Sequence, residues 1–352
     1  MHHFTAHRLT FVAEALDRIE LNEHQGSALR GALYHALRTR FCAFGHDRQA
    51  QCSTCTLAAT CPVATLAATL APGHPRGQDR PRPYTIQPPL PGSGHPVESY
   101  NGRLVFQYEP GETLTFGLTL YAQAMQLFPY VVLATQAFET GGLGRLYRQA
   151  DGRRRRGRLQ VREIWAHNPL TGERQIVLRS GTNTVHVPDV PVTHAQVLEA
   201  CQEMNGDAHG APVQLTLRFL TPTRLIHKGR LVKPEGFAFR PFFQRLLERL
   251  EALSGAFSDT PLPVSFPDLL DAAARVTVVD HSLTWEEVRS YSTRRRAESP
   301  IGGLLGQVVL ETHDWSPFLP WLLWGQFVHV GKDAVKGNGW YRLRPGGRDA
   351  TH

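Results

Sequence analysis

The chain has 352 residues, of which 41% are hydrophobic and 20% are charged. This length suits two domains of ordinary size, and the composition excludes a fibrous or wholly disordered protein. The 31 glycines and 25 prolines exceed their usual combined share of about 12%, which disfavours an all-helical bundle. The formal charge of +7 favours a polyanionic partner such as nucleic acid.

The hydropathy pattern argues against a membrane protein. The longest apolar stretch, Phe318–Val330, is too short to span a bilayer and contains polar residues. The N-terminus lacks the basic and apolar regions of a secretory signal. Four of the five cysteines are crowded together, which favours metal binding in a reducing compartment over a disulfide framework. We therefore expect a cytoplasmic protein.

The first predicted elements are a strand over residues 4–16 and a helix over residues 27–41. The helix is indicated by Leu29, Leu33 and Leu37, which recur at helical spacing. Its polar face is basic and aromatic and consists of Arg30, Tyr34, His35 and Arg38.

Residues 42–95 interrupt the hydrophobic periodicity. The elements that follow the first helix complete a first β-α-β-β-α-β unit. Alternating or branched residues predict strands, and one longer apolar segment predicts a second helix. The strands are expected at residues 84–87, 104–108, 113–120, 158–166 and 175–179, and the helix at residues 121–139.

A second cycle of the same elements follows a polar segment at residues 205–211, which we predict to be the linker. Strands are expected at residues 213–219, 275–279 and 304–310, with helices at residues 236–253 and 315–326. The sequence thus predicts two α+β domains of the ferredoxin-like kind, at residues 1–205 and 211–352.

The most specific local pattern is a group of four cysteines, Cys42, Cys52, Cys55 and Cys61. Thiolates at such spacing can complete a tetrahedral metal site, and the surrounding segment has too few apolar residues to form its own core. We predict a cysteine-rich, metal-binding insertion at about residues 42–80, with a structural Zn2+ ion. An iron–sulfur cluster is the alternative, because four thiolates also suit iron.

A glycine-rich segment at residues 331–339 lies between two strand-like pieces near the C-terminus. Gly331, Gly337 and Gly339 would let the backbone approach a phosphate closely, and Lys332 and Lys336 would supply charge. No Gly-Lys-Ser/Thr sequence ends the segment, so it is not the phosphate-binding loop of nucleotide hydrolases. Taken alone, it is also compatible with a simple turn.

Several segments that run from one end of the chain to the other share a family pattern. They are Gly26–Arg38, the cysteine segment, Arg82–Pro89, Phe116–Leu120, Thr221–Arg224, Gly302–Gly306 and His329–Gly339. In these segments the chain resembles the CRISPR-associated endoribonucleases of the RAMP superfamily, which cut precursor CRISPR RNA within its repeats. One departure is Lys336, where the family pattern has an apolar or aromatic residue before the middle glycine.

The resemblance implies two tandem ferredoxin-like domains of the RNA-recognition (RAMP) type, with the cysteine insertion in the first. It also implies an endoribonuclease that produces mature crRNA without a metal ion. In such enzymes the RNA's own 2′-hydroxyl attacks the adjacent phosphate, which leaves a 2′,3′-cyclic phosphate. The expected partners are CRISPR repeat RNA, crRNA and other CRISPR effector subunits, with no membrane and no small-molecule substrate.

This reaction needs a base, an acid and a cation that stabilises the phosphorane. By resemblance, the family often keeps its histidine on or just before the first helix, so His35, with Tyr34 beside it, is the first catalytic candidate. His329 is the second candidate, because it lies two residues before Gly331. A surface position for His35 and a core position for His329 are the ordinary alternatives.

The predicted RNA contacts include two arginine runs. Runs of like charge are often only solvent-exposed surface. These two runs are expected on loops of RNA-recognition-type domains, which favours contact with phosphates. The runs are Arg153, Arg154, Arg155 and Arg156, and Arg294, Arg295 and Arg296. The resemblance and the local charge add Arg30, Arg38, Arg224, Gly331, Lys332, Lys336, Gly337 and Gly339.

Two other classes of function fit the same residues. One is a non-catalytic scaffold that binds crRNA within a CRISPR effector complex, which binding without cleavage would reveal. The other is an iron–sulfur redox protein, which would be coloured.

Overall fold

The computed structural model describes residues 1, 3–45, 47, 50–68, 81–90, 93–98, 104–148, 152–182, 184–205, 212–258, 262–292 and 297–346. The chain divides into two compact units, His7–Pro191 and Met1–Ala6 with Val192–His352. We call them the N-terminal and the C-terminal unit. Among the helices of the described ranges, none is both long and apolar enough to span a bilayer. The arginine run at 294–296 lies outside the described residues.

The N-terminal unit contains ten strands and three α-helices among its described residues. The strands are β1 (Ala6–Ala15), β2 (Ile19–Asn22), β3 (Tyr84–Gln87), β4 (His95–Glu98), β5 (Leu104–Tyr108), β6 (Thr113–Tyr121), β7 (Leu143–Arg148), β8 (Arg154–Gly157), β9 (Leu159–His167) and β10 (Arg174–Arg179). The helices are α1 (Gln25–Phe41), α2 (Phe128–Gln136) and α3 (Phe138–Gly141).

The main sheet of this unit has the strand order β10-β9-β1-β6-β3. Without the edge strand β10, the order in chain sequence is fourth, first, third, second, with α1 after the first strand and α2 after the third. This is the β-α-β-β-α-β arrangement of a ferredoxin-like domain, as predicted. Two smaller sheets, β2-β5-β4 and the ribbon β7-β8, are added to it.

Helix α1 forms where its leucine spacing predicted it, because Leu29, Leu33 and Leu37 are all buried on one face. The helix expected over residues 121–139 is interrupted instead. A 3-10 segment at Ala122–Leu127 precedes α2, and Pro129 stands in the first turn of α2. Proline has no N–H to donate and its ring obstructs the preceding turn, so a continuous helix does not form through this position.

The C-terminal unit contains nine strands and four α-helices among its described residues. The strands are β11 (Val213–Thr223), β12 (Ile226–His227), β13 (Arg230–Leu231), β14 (Thr277–His281), β15 (Thr284–Glu286), β16 (Arg289–Ser292), β17 (Ala297–Pro300), β18 (Gly303–Thr312) and β19 (Tyr341–Pro345). The helices are α4 (His194–Asn205), α5 (Phe239–Phe257), α6 (Phe266–Ala273) and α7 (Leu319–Val328).

The sheet of this unit has the order β14-β18-β11-β19, and β15 also pairs with β18. This is again the ferredoxin-like order, with α5 after the first strand and α7 after the third. The boundary differs from the expected linker at residues 205–211. The units divide at Pro191, so α4 belongs to the C-terminal unit, where it packs against α7.

The core of the C-terminal unit is aromatic. Phe239 of α5 stacks on Phe243 with ring centroids 5.2 Å apart and packs edge-on against Phe318 at 5.3 Å. Tyr341 of β19 is fully buried, and its hydroxyl donates to the Leu322 carbonyl at 2.8 Å. Burial raises the pKa of Tyr341 well above its usual value. These contacts fix the segment between α7 and β19, which carries the glycine-rich residues.

Candidate active site and nucleic-acid interface

The exposed side of α1 presents His35 to solvent. The ring Nδ1 lies 3.0 Å from the Thr39 hydroxyl, one helical turn along. Among the described residues, no side chain or backbone group contacts the other ring nitrogen, Nε2. The Thr39 contact therefore orients the imidazole and leaves Nε2 available for proton transfer.

Tyr34 and Arg38 form a second pair on the adjacent strip of the same helix. The Arg38 guanidinium donates from Nη1 to the Tyr34 hydroxyl at 3.2 Å. Since the tyrosine oxygen accepts this bond, its own O–H is free to donate to another group. The bond also raises the pKa of Arg38 above its usual value. One turn before Tyr34, Arg30 is half-buried, and its Nε has no hydrogen-bond partner within the described residues.

The Arg38 guanidinium also holds the start of the cysteine segment. Its Nη2 donates to the backbone carbonyl of Ala50 at 3.3 Å and to that of Asp47. A planar guanidinium can make these bonds and the bond to Tyr34 at once, because its N–H groups point in several fixed directions. The polar face of α1 and the cysteine segment are thus joined through one side chain.

The four cysteines are brought to one cavity of about 30 Å3, which Tyr34 and Arg38 also line. All four thiols are free and half-buried. Burial raises the pKa of the Cys52 thiol, the other three cysteines raise it further, and Arg38 lowers it. In the ranges that the structure describes, however, no group of three or more His, Cys, Asp or Glu side chains is placed to hold a metal ion. The zinc site therefore stays a prediction.

The fifth cysteine, Cys201, lies in α4 of the C-terminal unit and not in the first domain, where the expected boundary put it. Its thiol is buried, and burial raises its pKa to about 12. A thiol in this state is an ordinary core residue.

The first arginine run lies mostly on strand β8 of a two-stranded ribbon. In its register, Arg154 is directly opposite Arg148, and Arg155 is directly opposite Tyr147. Arg148 and Arg154 are exposed, and neither has an ion-pair partner among the described residues. Two like charges in a cross-strand pair are unfavourable without a counterion.

The residues that flank this ribbon are anchored to the unit. Arg156 donates from Nε to the Gly144 carbonyl at 2.9 Å. Arg158 forms a bidentate ion pair with Asp17, at 2.7 and 3.0 Å, and this pair lowers the pKa of the Asp17 carboxyl. The ribbon that carries Arg148 and Arg154 is therefore anchored to the rest of the unit.

His329 is placed differently from what a catalytic role requires. The side chain has no exposed surface, its Nδ1 lies 3.2 Å from the Asn338 carbonyl, and its ring stacks on Trp340. A ring with no exposed atom does not reach a phosphate, so we correct this assignment to a structural one. The sequence pattern allowed this core position as the alternative.

The glycine-rich segment is packed against the end of β11. A Cβ atom on Gly339 would lie 1.8 Å from the Val330 carbonyl oxygen, and Gly339 N–H donates to the Pro222 carbonyl at 3.1 Å. Gly337 is likewise buried, and its carbonyl accepts a bond from the Thr221 hydroxyl at 2.7 Å. These two glycines allow close packing of the chain on itself, and the approach of their backbone to a phosphate stays a prediction.

Three cations remain at the surface of this segment. Lys332 is exposed, and its N–H donates to the Arg224 carbonyl at 3.0 Å, beside Gly331. Arg224 is half-buried and donates from Nη1 to the Gly302 carbonyl at 3.1 Å. Lys336 forms an ion pair with Asp333 at 2.9 Å, which partly neutralises its charge.

Two side chains next to Arg224 were not singled out from the sequence. The Lys233 ammonium lies 3.4 Å from the ring centroid of Trp285. No spacing rule links these residues, because one follows the hairpin β12–β13 and the other lies on β15. Only the folded sheet brings them together.

Comparison with known families gives two matches. A family model described as an N-terminal domain matches residues 4–190, and the model of the CRISPR-associated endoribonuclease Cas6 matches residues 217–341. Together the two matches span most of both units. Among curated proteins, none matches the sequence.

Solved structures share the fold at low sequence identity. A partial Cas6-RT-Cas1–Cas2 complex contains a chain that is 15% identical, with a TM-score of 0.57; the alignment covers 99% of this chain and 47% of that one. The product complex of a Cas6 protein of Thermus thermophilus is 15% identical, with a TM-score of 0.50 and coverage of 97% and 99%. The chain thus spans about half the length of the first of these relatives. The chain thus has two ferredoxin-like units, and residues 217–341 of the second unit form a domain of the Cas6 family of CRISPR-associated endoribonucleases.

Proposed function

We propose that this protein cuts precursor CRISPR RNA within its repeats and that the RNA supplies the nucleophile. The observation that carries the proposal is the exposed face of α1, where the His35–Thr39 pair lies beside the Tyr34–Arg38 pair. These two pairs supply a proton-transfer group and hydrogen-bond donors on one rigid element. The match of residues 217–341 to the Cas6 model supports RNA cleavage as the class of reaction.

His35 and Thr39 can carry out the proton transfers of the cleavage reaction. The 2′-oxygen forms a bond to the adjacent phosphorus and loses its proton, while the bond from phosphorus to the 5′-oxygen breaks and that oxygen gains a proton. When His35 donates from Nδ1 to Thr39, Nε2 carries a lone pair and acts as the base. After it takes the proton of the 2′-hydroxyl, the imidazolium still donates from Nδ1 to Thr39, and its Nε2 gives the proton to the leaving 5′-oxygen.

The charge that develops on the phosphate needs donors that are already in place. The Tyr34 O–H is one, because its oxygen is occupied by Arg38 and its proton is free. The Arg30 guanidinium, one turn away, supplies a positive charge. Since all the groups come from protein and RNA, the proposed mechanism uses no metal ion and ends in a 2′,3′-cyclic phosphate.

RNA binding is proposed for the basic surfaces of each unit. The ribbon β7–β8 carries Arg154 to Arg156, with Arg153 just before it, and the C-terminal unit carries Arg224 and Lys332 beside the glycine-rich segment. The run Arg294 to Arg296 is retained as a proposed contact, although it lies outside the described residues. Other CRISPR proteins are proposed as further partners.

The decisive experiment incubates the purified protein with repeat RNA from its own locus in EDTA. We expect a cut with a 2′,3′-cyclic phosphate end, and no cut when the nucleotide before the scissile phosphate is 2′-deoxy. His35→Ala should keep RNA affinity and lose about 100-fold or more in cleavage rate, as expected for loss of a general acid–base. His186→Ala, which removes another exposed histidine of the N-terminal unit, is the matched control.

The outcomes separate the classes of function. Cleavage of the 2′-deoxy RNA would overturn the internal nucleophile, and full activity of His35→Ala would overturn the role of His35. Binding of repeat RNA without cleavage by the wild-type chain would indicate the scaffold function instead.

A further inference from the structure

Lys233 and Trp285 form a close cation–π contact on the surface of the C-terminal unit. The ammonium nitrogen lies 3.4 Å from the centroid of the indole ring. The Arg224 guanidinium lies over the same ring, with its central carbon 5.9 Å from the centroid. Lys233 is exposed, and Arg224 and Trp285 are half-exposed. Two cations are therefore gathered at one aromatic side chain.

The surface around Trp285 adjoins the glycine-rich segment. Trp285 lies on β15, directly opposite Leu304 of β18, while Arg224 donates to the Gly302 carbonyl just before β18. The Arg224 carbonyl in turn accepts from the N–H of Lys332 at 3.0 Å. Arg224, Lys233 and Lys332 thus form one local group of cations, with Trp285 among them. We call these four residues the Trp285 patch.

The charge of this patch is not neutralised within the protein. Among the described residues, none of its three cations has an ion pair with a carboxylate. The indole itself donates from Nε1–H to the Glu287 carboxylate at 2.5 Å. A cation–π contact orders an ammonium and leaves its full charge, whereas a carboxylate partner would cancel it. The patch is therefore preorganised for an external anion.

We propose that the Trp285 patch binds phosphates of the RNA backbone, and that Trp285 acts as a positioning residue for the Lys233 ammonium. This inference rests on the proposed function, because it names a further part of the protein that contacts the same RNA. A strand of RNA carries one negative charge for every nucleotide, so it can engage several cations of one surface at once, whereas an isolated anion cannot. Such contacts hold the RNA without reading its sequence.

The test measures the affinity of the protein for repeat RNA at several salt concentrations. The nucleotide before the scissile phosphate is 2′-deoxy, so that the RNA is bound but not cut. Loss of one phosphate contact to a single strand should reduce the slope of log affinity against log salt by about 0.7, and affinity itself should fall about 3- to 10-fold. We expect this result for Lys233→Met and for Trp285→Leu. Trp285→Phe keeps an aromatic face and should restore most of the affinity and the slope.

Arg275→Met removes one exposed positive charge of the same unit outside the patch and is the matched control. It should leave both the slope and the affinity near the wild-type values. If Lys233→Met kept the wild-type slope, the patch would be overturned while cleavage of repeat RNA still supported the proposed function. If Trp285→Phe lost as much RNA affinity as Trp285→Leu while both variants unfolded at the wild-type temperature, the positioning role of the ring would be wrong. A wild-type chain that bound no RNA would overturn both proposals.

Discussion

Arg38 connects Tyr34 to the cysteine segment through opposite sides of one guanidinium. Nη1 donates to the tyrosine hydroxyl at 3.2 Å, and Nη2 donates to the Ala50 carbonyl at 3.3 Å. The candidate catalytic face of α1 and the segment that follows it are therefore held together by one planar guanidinium, whose N–H groups reach both at once.

The first prediction concerns this connection. Arg38→Lys keeps the positive charge, but a single ammonium on a flexible stem does not span both contacts. We expect a loss of about 1–2 kcal/mol in the free energy of unfolding, measured by denaturant titration, and slower RNA cleavage. Arg40→Lys, on the exposed face of the same helix, is the control: Arg40 makes one hydrogen bond, to the Leu133 carbonyl at 3.1 Å, which a lysine ammonium can keep, so stability should change by less than about 0.5 kcal/mol. Equal stability of the two variants would contradict the bridging role.

The second prediction concerns the like charges of ribbon β7–β8. Arg154→Glu converts the cross-strand pair with Arg148 into an attractive one. We therefore expect the free energy of unfolding to rise by about 0.2–1 kcal/mol while RNA affinity and its salt dependence fall. Thermal unfolding and RNA binding at two salt concentrations measure the two effects. A gain in stability with unchanged RNA affinity would show that the ribbon is only a solvated face.

The third prediction concerns the four cysteines at one cavity. We expect purified protein to contain about one zinc ion per chain, or iron with sulfide in the alternative, and Cys52→Ser to lose the metal and unfold at a lower temperature. Four thiolate ligands leave no open position for a water, so such an ion would support folding and not the cleavage step. Cys201→Ser, in the C-terminal unit, should keep the metal. A folded, active protein with neither metal would refute the site.

The fourth prediction concerns pH and His167. Burial, together with the charges of Arg8 and Arg174, lowers the pKa of this histidine to about 4 in the folded state, from an ordinary value of 6.5. Between pH 6.5 and 4 the unfolded chain therefore binds a proton that the folded chain does not, so the folded state loses stability as the pH falls through this window.

The expected size of this loss is on the order of 2 kcal/mol, since the side chain is partly screened by solvent. His167→Gln has no such proton to bind. Its free energy of unfolding should therefore fall less than that of the wild type between pH 7 and pH 4. The free energy of unfolding is measured by urea titration at each pH. If it fell equally with pH in the two proteins, His167 would not be the cause of the loss of stability.

Local patterns in the sequence were sufficient for the strands of the first main sheet and for helices α1, α5 and α7, but not for α4, α6 or the ribbon β7–β8. The leucine spacing of Leu29, Leu33 and Leu37 marks the buried side of α1, because a helix places every third or fourth residue on one face. The same periodicity leaves His35 and Tyr34 on the polar side. The two ferredoxin-like units were also predicted, from the order of strands and helices and from the family resemblance.

The sequence by itself thus determined the elements and the residue types that supply the chemistry, since both depend on neighbours in the chain. Which of these residues reach the surface was decided by tertiary packing. His329 and Gly339 are buried because the segment before β19 folds back on the end of β11. Lys233 meets Trp285 only because β15 pairs with β18, and a contact between residues so far apart in the chain has no local signal.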